Sequence, residues 1–319
     1  MKTRLFEPKS WTVCFRSSLK FQRFTFKAVN VLFHSTSHLK MSYAICTILY
    51  VIAHLVGVAS LVLVGLWIDY DKKGFGFHER ADLEFKFHPI LMSLSLFFLN
   101  GEAIMIYRGL RFWPKWLTKF IHATLHTVSF VFMVLGLKAV WDSHDYARDK
   151  DGNISPIPNA LRPHAWVGLA TASLYGLQFT GGLVTFYLPV TPLHVRKTVM
   201  PLHRVMGILI FAFSVGAVLM GTGEKAAWSL SCPDPKVICE ENLFVNLFSL
   251  CILGYSACVF VIAAIPEWIR VPLSDEVPGG AISVTHYEKH TNHDTNNVTS
   301  AWTTEGTYRI TQETFKTSL

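Results

Sequence analysis

The stretch YAICTILYVIAHLVGVASLVLVGLWI, residues 43–68, contains no Asp, Glu, Lys or Arg. A helix rises about 1.5 Å per residue, so an apolar segment of this length spans a hydrocarbon layer of about 30 Å. Five further apolar segments follow it, at residues 88–107, 120–141, 164–188, 203–222 and 243–265. The sequence therefore predicts an all-α integral membrane protein with six transmembrane helices over residues 43–265.

The composition agrees with this class of protein. Hydrophobic residues make up 51% of the 319 residues and charged residues only 16%, whereas a soluble domain carries about 25% charged residues. These proportions argue against a single large soluble domain as the main body of the chain.

The two ends differ from the apolar segments. Residues 1–42 form a basic arm, in which the first 40 residues hold five Lys and three Arg against one acid, Glu7. We expect the arm to face the anionic cytosolic leaflet rather than nucleic acid, although a transit peptide and a translation start at Met41 are alternatives. Residues 266–319 are polar and are predicted to form a disordered cytosolic tail.

Charge in the connections predicts the orientation. The connections 108–119 and 189–204 carry seven Lys and Arg and no acid, whereas 69–87, 142–163 and 223–242 carry nine Lys and Arg against thirteen Asp and Glu. Cytosolic loops are enriched in Lys and Arg, so the first set and both termini are predicted to be cytosolic.

Four histidines open four consecutive apolar segments: His88, His122, His164 and His203. An ionisable side chain at membrane depth is costly and points to function. Because consecutive segments enter from opposite faces, His88 and His164 lie near the non-cytosolic face, and His122 and His203 near the cytosolic face. We predict an outer pair, His88–His164, and an inner pair, His122–His203, each holding one haem within the bundle of helices two to five.

Two imidazoles fill both axial positions of a haem iron, which suits electron transfer rather than oxygen binding. The pattern therefore predicts two haems that carry electrons across the bilayer. His126 lies one turn below His122 on the same helix face and is an alternative inner ligand. His54 has no histidine at matching depth. The rival function is a transporter whose histidines line a proton or metal path without haem.

A set of motifs resembles the cytochrome b-561 family over roughly residues 45–265: FKFHPILM (85–92), AIMIYRGLR (103–111), KFIHATLH (119–126), PHAWVGL (163–169), MPLHRVMG (200–207) and GTGEK (221–225). The resemblance implies a six-helix, di-haem membrane protein, usually a homodimer. It also implies an ascorbate-dependent oxidoreductase, which takes an electron from cytosolic ascorbate and delivers it to a ferric chelate or monodehydroascorbate on the other side. A haem subunit that passes electrons to a partner protein remains an alternative.

The same resemblance implies roles for further residues and a location. Lys115, Lys119 and Arg196 would bind ascorbate at the cytosolic mouth, and His144, in the connection after the third segment, would bind the acceptor. The expected membrane is the plasma membrane or an endosomal, lysosomal or secretory-vesicle membrane. The residues predicted around the haem edges are Arg108, Lys115, Asn159, Arg196 and Glu224.

Two departures from the family pattern affect the non-cytosolic mouth. Lys86 stands two residues before His88, where the family usually has Asn, and Arg162 stands two residues before His164. We expect both to make this mouth more basic and to favour an anionic acceptor.

The cysteines show no zinc-binding spacing. Cys232 and Cys239 share the non-cytosolic connection 223–242, where oxidising conditions permit a disulfide. The sequence leaves open whether they are bridged or free, because it does not fix their separation.

Overall fold

The computed structural model describes residues 36–77, 80–230, 232, 237–270, 272, 273 and 276. Most of the predicted basic arm and most of the predicted disordered tail lie outside these residues. The described residues form six long helices and no strand: α1 (Thr36–Ile68), α2 (Ala81–Gly109), α3 (Lys115–Asp145), α4 (Pro163–Gly182), α5 (Leu193–Ser229) and α6 (Glu240–Ala264).

The six helices coincide with the six predicted segments, which confirms the prediction of a helical membrane bundle. Five helices in the described part of the chain are long and apolar enough to cross a membrane, namely α1, α2, α3, α5 and α6. The remaining helix, α4, carries Thr, Ser, Gln and several Gly among its apolar residues, which lowers its hydropathy. A π-helical turn, Leu183–Tyr187, extends α4 beyond Gly182.

Several helices are longer than their apolar segments. The first helix begins at Thr36, before the predicted start at residue 43. The fifth begins at Leu193 and includes Pro201, which the sequence had placed in a loop. The third continues to Asp145, so His144 lies in its last turn and not in a loop. Hydropathy marks only the part of a helix that suits hydrocarbon, and polar extensions carry no such signal.

The second helix is irregular. A turn at residues 85–86 precedes the stretch Phe87–Met92, and a π-helical segment, Ser93–Leu99, follows it. Such wider turns inside helices often occur at functional sites. Here the wide turn lies between His88, near one end of α2, and the residues near Ala103 at the other.

The helices pack in two groups. Buried side chains from α1, α2, α5 and α6 form the larger core, which includes Val64, Phe97 and Tyr255. Glycine allows close contact there, because a Cβ at Gly101 would lie 2.5 Å from the Tyr255 hydroxyl oxygen. A smaller core joins α2, α3, α4 and α5 through Leu96, Met133, Ala172, Tyr175 and Ile210. As a result α2 to α5 surround the four histidines, and α1 and α6 cover one side.

Cys232 and Cys239 form a disulfide, with their Cα atoms 5.6 Å apart. This answers the question that the sequence left open. The bridge closes the connection between α5 and α6, the region predicted to face an oxidising compartment.

Candidate functional site

The outer histidines face each other across the bundle. His88 near the start of α2 and His164 at the start of α4 have ring centroids 6.2 Å apart, with planes inclined by 80°. The Nδ1 atom of His88 lies 3.0 Å from the Gly136 carbonyl oxygen, and that of His164 lies 2.9 Å from the Ala217 carbonyl oxygen. The rings are therefore held from behind by α3 and α5.

The inner histidines repeat this arrangement towards the other end of the same four helices. The ring centroids of His122 on α3 and His203 on α5 lie 6.4 Å apart, with an interplanar angle of 71°. The Nδ1 atom of His122 lies 2.8 Å from the Ala103 carbonyl oxygen. His203 is held differently, because its Nδ1 atom lies 2.9 Å from Nε2 of the Gln178 side chain.

Both pairs fit an iron with two axial imidazoles. A metal–imidazole nitrogen bond is about 2 Å long, so two rings on opposite sides of one metal have centroids roughly 6 Å apart. The observed separations, 6.2 and 6.4 Å, match this spacing. A carbonyl that accepts from Nδ1–H fixes the tautomer in which Nε2 is free to bind a metal. Three of the four rings, those of His88, His122 and His164, have such a carbonyl.

The two pairs lie at different depths. The Gly136 carbonyl of α3 contacts His88 and so marks the depth of the outer pair on this helix. His122 of the inner pair also lies on α3, fourteen residues before Gly136. At about 1.5 Å per residue, this places the pairs roughly 20 Å apart along α3. The arrangement is that of two separate cofactor positions in one bundle.

His126, the alternative inner ligand, has a different partner. Its Nδ1 atom lies 2.8 Å from the Tyr175 hydroxyl oxygen, and this hydroxyl also lies 3.3 Å from the His126 carbonyl oxygen. The ring centroids of His122 and His126 are 4.5 Å apart. The geometry thus favours His122 as the partner of His203 and places His126 beside this pair.

A cavity of about 870 Å³ opens beside the outer pair. Its lining includes both outer histidines and four residues predicted at the outer mouth or at the haem edge, His144, Asn159, Arg162 and Glu224, together with Lys225, which the sequence did not single out. The Nδ1 atom of His144 lies 2.7 Å from Oδ1 of Asn159. Asn159 and Glu224, predicted at the edge of the outer haem, therefore share one cavity with its expected ligands.

The expectation that Lys86 adds positive charge to the outer mouth is wrong. Its Nζ atom lies 2.8 Å from an oxygen of Asp69 and 2.6 Å from one of Asp71, and the side chain is buried. Hydrogen bonding to Lys86 holds the pKa of both carboxyls below their usual range. Two carboxylates thus more than offset the charge of the lysine, and these ion pairs fix the connection after α1 against α2.

Two other charges at the outer mouth are arranged differently. The Arg162 Nε atom lies 3.6 Å from Oε1 of Glu224, so that arginine also has an acidic neighbour. The Nζ atom of Lys225 lies 4.5 Å from the ring centroid of Trp228. A cation held over an aromatic ring keeps its charge and its hydrogen-bond donors. Lys225, at the lining of the cavity, is the better candidate for attracting an anion.

At the opposite end, three cationic residues predicted to bind ascorbate lie near each other. Lys119 interacts electrostatically with both Arg196 and Lys115. Lys119 Nζ lies 5.5 Å from the Tyr187 ring centroid, and the Arg196 side chain donates to carbonyl oxygens of the turn after α4. The structure therefore brings together the predicted donor-site residues of α3 and α5.

Arg108, predicted at a haem edge, binds backbone carbonyl groups at the end of α6. Its guanidinium donates to the carbonyl oxygens of Ile262 and Ile265, at the C-terminal end of α6. A cation at this position satisfies carbonyls that a helix leaves without partners. Its predicted contact with a haem stays a prediction.

Sequence reasoning missed one polar cluster. Glu102 on α2 is only 6% exposed, and its carboxylate lies 2.8 Å from Nε2 of His54 and 3.1 Å from the Tyr255 hydroxyl. Glu102 is the single acid within the second apolar segment, and this isolated acid is the sequence feature that could have indicated the cluster. Its partner on α1 could not be read from the sequence.

The fold and the paired imidazoles fit a helical membrane protein of the cytochrome class, and comparison with known proteins identifies the family. The family model for eukaryotic cytochrome b561 matches residues 87–229. The chain is 35% identical over 236 residues to the putative transmembrane ascorbate-dependent reductase CYB561 homolog of Caenorhabditis elegans, covering 74% of this chain and 89% of the relative.

Two further relatives agree. The plasma membrane ascorbate-dependent reductase CYBRD1 of Xenopus tropicalis is 36% identical, covering 70% of this chain and 76% of the relative. The probable ascorbate-specific transmembrane electron transporter 1 of Oryza sativa subsp. japonica is 32% identical, covering 69% of this chain and 91% of the relative. The chain belongs to the eukaryotic cytochrome b561 family, as its motifs predicted, and haem b is the cofactor that this family implies.

Proposed function

We propose that this protein transfers single electrons across a membrane from cytosolic ascorbate to a ferric chelate or monodehydroascorbate on the opposite side. The observation that carries the proposal is the pairing of four imidazoles from four helices, with ring centroids 6.2 and 6.4 Å apart. Membership of the cytochrome b561 family favours this function over a histidine-lined transport path.

His88 and His164 would hold one haem b, and His122 and His203 a second. When bound, haem b supplies one-electron redox chemistry. The protein contributes placement and exclusion of water. The backbone carbonyls of Gly136, Ala103 and Ala217 orient three of the imidazoles, and the surrounding apolar helices separate the two positions from solvent.

The charged residues provide substrate recognition at each mouth. Lys115, Lys119 and Arg196 form a cationic site that attracts ascorbate, which is an anion at neutral pH. At the other mouth, His144 and Lys225 face the cavity and would contact an anionic acceptor. The excess of Lys and Arg in the connections before α3 and α5 supports a cytosolic donor side and cytosolic termini. The relatives' printed names, which include ascorbate, support the choice of donor.

The homodimer, the plasma or vesicle membrane and the surrounding lipid are part of the same proposal. They rest on the family resemblance and on the apolar outer faces of the helices, such as Leu55 and Val62 of α1. These faces suit lipid or a second copy of the chain.

The test is a reduced-minus-oxidised optical spectrum of the purified protein, with the haem-to-protein ratio measured before and after addition of ascorbate. We expect two b-type haems per chain, both reduced by ascorbate. His122→Ala should retain one haem, whereas the matched variant His126→Ala, one helical turn away, should retain two. A wild-type protein without haem would refute the proposal, and haem that ascorbate does not reduce would favour a subunit served by a partner protein.

A further inference from the structure

A buried acidic cluster lies outside both histidine pairs. Glu102 of α2 contacts His54 of α1 and Tyr255 of α6, and its side chain is 7% exposed. The Tyr255 hydroxyl also lies 2.9 Å from the Phe98 carbonyl oxygen. An ionisable residue at membrane depth is costly to keep and is a functional candidate by default.

The hydrogen bonds show that the cluster holds a proton. The Nδ1 atom of His54 lies 2.7 Å from the Tyr50 carbonyl oxygen, so Nδ1 carries a hydrogen. The Nε2 atom then lies 2.8 Å from an oxygen of Glu102, a distance that requires one proton between the two atoms. With this proton, the histidine and the glutamate are together neutral, and without it they carry one negative charge.

This cluster is coupled structurally to the inner pair. Ala103, the residue after Glu102, accepts the hydrogen bond from Nδ1 of His122 through its carbonyl oxygen, at 2.8 Å. The backbone that carries the buried carboxyl therefore also orients an expected inner ligand. No such contact connects Glu102 to His88 or His164 among the described residues.

We propose that the His54–Glu102 pair is a proton-binding site that sets the reduction potential of the inner haem and makes it depend on pH. This inference rests on the proposed function. One electron arriving at the inner position is matched by one proton held between His54 Nε2 and Glu102. The electron comes from ascorbate, which becomes monodehydroascorbate and releases its own proton to water, and the proton that binds the deprotonated pair is a separate one taken from water.

Electrostatics predicts the direction in which the inner reduction potential changes with pH. The deprotonated pair places a negative charge on the residue before Ala103, whose carbonyl binds His122, in a medium of low dielectric constant, and a negative charge there would disfavour a reduced inner haem. As the pH rises through the range in which the pair loses its proton, the potential should fall. The other titratable groups around the cluster are Tyr50 from α1 and Tyr255 and Cys258 from α6, and His122 from α3 binds the carbonyl of the neighbouring Ala103. None of these replaces the proton shared by His54 and Glu102.

The experiment is a spectroelectrochemical titration of both haems in the full-length holoprotein between pH 5 and pH 9. In Glu102→Gln the negative charge of the deprotonated pair cannot form, so we expect the inner haem to be several-fold easier to reduce at high pH. A tenfold change in the ratio of reduced to oxidised haem corresponds to about 59 mV. The inner potential of this variant should no longer fall at high pH as it does in the wild type.

Two controls distinguish this role from a structural one. The outer histidine pair lies roughly 20 Å from the inner pair along α3, so the outer haem of the same molecule should keep its potential. Tyr255→Phe removes a hydrogen bond but keeps the proton pair, so the pH dependence should persist. If Glu102→Gln fails to retain the inner haem, His54→Gln provides the test, because loss of the imidazole should move the pH range over which the inner potential changes.

The result that would refute the proton-binding role differs from the result that would refute the proposed function. A wild-type protein without two haems refutes the proposed function itself. Two haems whose potentials and pH dependence are the same in wild type, Glu102→Gln and His54→Gln would overturn the proton-binding role while leaving electron transfer intact.

Discussion

The Nδ1 atom of His144 lies 2.7 Å from the side-chain oxygen of Asn159, and this contact joins the last turn of α3 to the connection before α4. An amide oxygen only accepts, so the hydrogen is on Nδ1 and the lone pair of Nε2 is available to a ligand. Ala160, next in sequence, has a φ of 57°, a left-handed conformation that turns the chain at this point. Asn159 therefore positions the histidine that we expect to meet the acceptor.

Asn159→Leu should raise the KM for the non-cytosolic acceptor. Loss of one hydrogen bond that fixes the His144 ring costs about 1 kcal/mol, which corresponds to a roughly fivefold effect. The rate at which ascorbate reduces the protein should not change. Steady-state assays with varied acceptor, paired with stopped-flow reduction by ascorbate, measure both quantities. Asn153→Leu, on the exposed part of the same connection, is the matched control, and an equal change in both variants would contradict the assignment.

Pairwise histidine variants test which imidazoles share a haem. His122→Ala combined with His203→Ala should retain one haem per chain, because both residues belong to the inner pair. His88→Ala combined with His122→Ala should retain none, because each change removes a different haem. Haem content by pyridine haemochrome assay, corrected for folded protein, measures the difference. Equal haem content in the two double variants would show that the pairs are assigned incorrectly.

Gly221 provides a steric test of the outer site. A Cβ at this position would lie 2.6 Å from Cε1 of His164, whereas a Cβ at Gly223 meets no atom within 4 Å. The ring of an axial ligand cannot move aside without losing its metal, so Gly221→Ala should displace it. Overpacking of this kind costs about 1–3 kcal/mol.

We therefore expect Gly221→Ala to lose or weaken binding of the outer haem and to keep the inner one. Gly223→Ala, two residues further along the same helix, should bind both haems normally. The two variants are compared by redox titration of the haem α-band absorbance and by their haem-to-protein ratios. Normal occupancy in both variants would mean that His164 is not held as the structure shows.

Much of the bundle could be predicted because its signals are local in sequence. The length of each apolar segment can be counted in the sequence. Because consecutive segments cross the membrane in opposite directions, His88 and His164 are predicted to lie at the same face. The ends of the helices were harder, because polar turns such as the one that contains His144 lie beyond the hydrocarbon signal. The bond between His144 and Asn159 consequently had no sequence signature.

Contacts between distant segments could not be predicted. The sequence predicts that Lys86 adds charge to the outer mouth, because it gives the spacing of Lys86 from His88 but not the acidic partners of Lys86. The connection after α1 folds back through positive φ values at Lys72 and Gly74, and the Gly74 N–H bonds to Asp69. This turn brings Asp69 and Asp71 to the lysine, and only a three-dimensional structure shows it.

Lys86→Met should lower thermal stability at neutral pH and weaken its dependence on pH. Because Lys86 lowers the pKa of Asp69 and Asp71 in the folded protein, their contribution is complete above the unfolded value of about 3.9. It is lost as the pH falls through the lower folded values. The wild type should therefore lose Tm below about pH 4 more steeply than the variant. Lys73→Met, which removes an exposed partner of Asp71, is the control and should behave like the wild type.

Glu276 ties the chain beyond α6 to the donor mouth. Its carboxylate accepts from the backbone N–H of Lys115, the first residue of α3, and from the guanidinium of Arg270. Arg270 also donates to the Trp113 carbonyl oxygen. The carboxylate thus occupies a helix N-terminus, where negative charge is favoured. It also lies beside a cationic site proposed for ascorbate, whose charge it offsets.

Glu276→Gln should therefore lower Tm and, by removing a negative charge near Lys115, lower the KM for ascorbate, more strongly at low salt. Hydrogen bonding to Arg270 lowers the pKa of Glu276 to about 2, so its stabilising contribution is complete above about pH 4.3, the unfolded value, and disappears as the pH falls towards 2. The Tm difference between wild type and variant should be constant from pH 5 to pH 8 and shrink in acid. Glu267→Gln removes the same charge one turn after α6 without touching Lys115, and should leave the KM unchanged. An equal fall in KM in both variants would show that general charge, rather than this contact, governs donor binding.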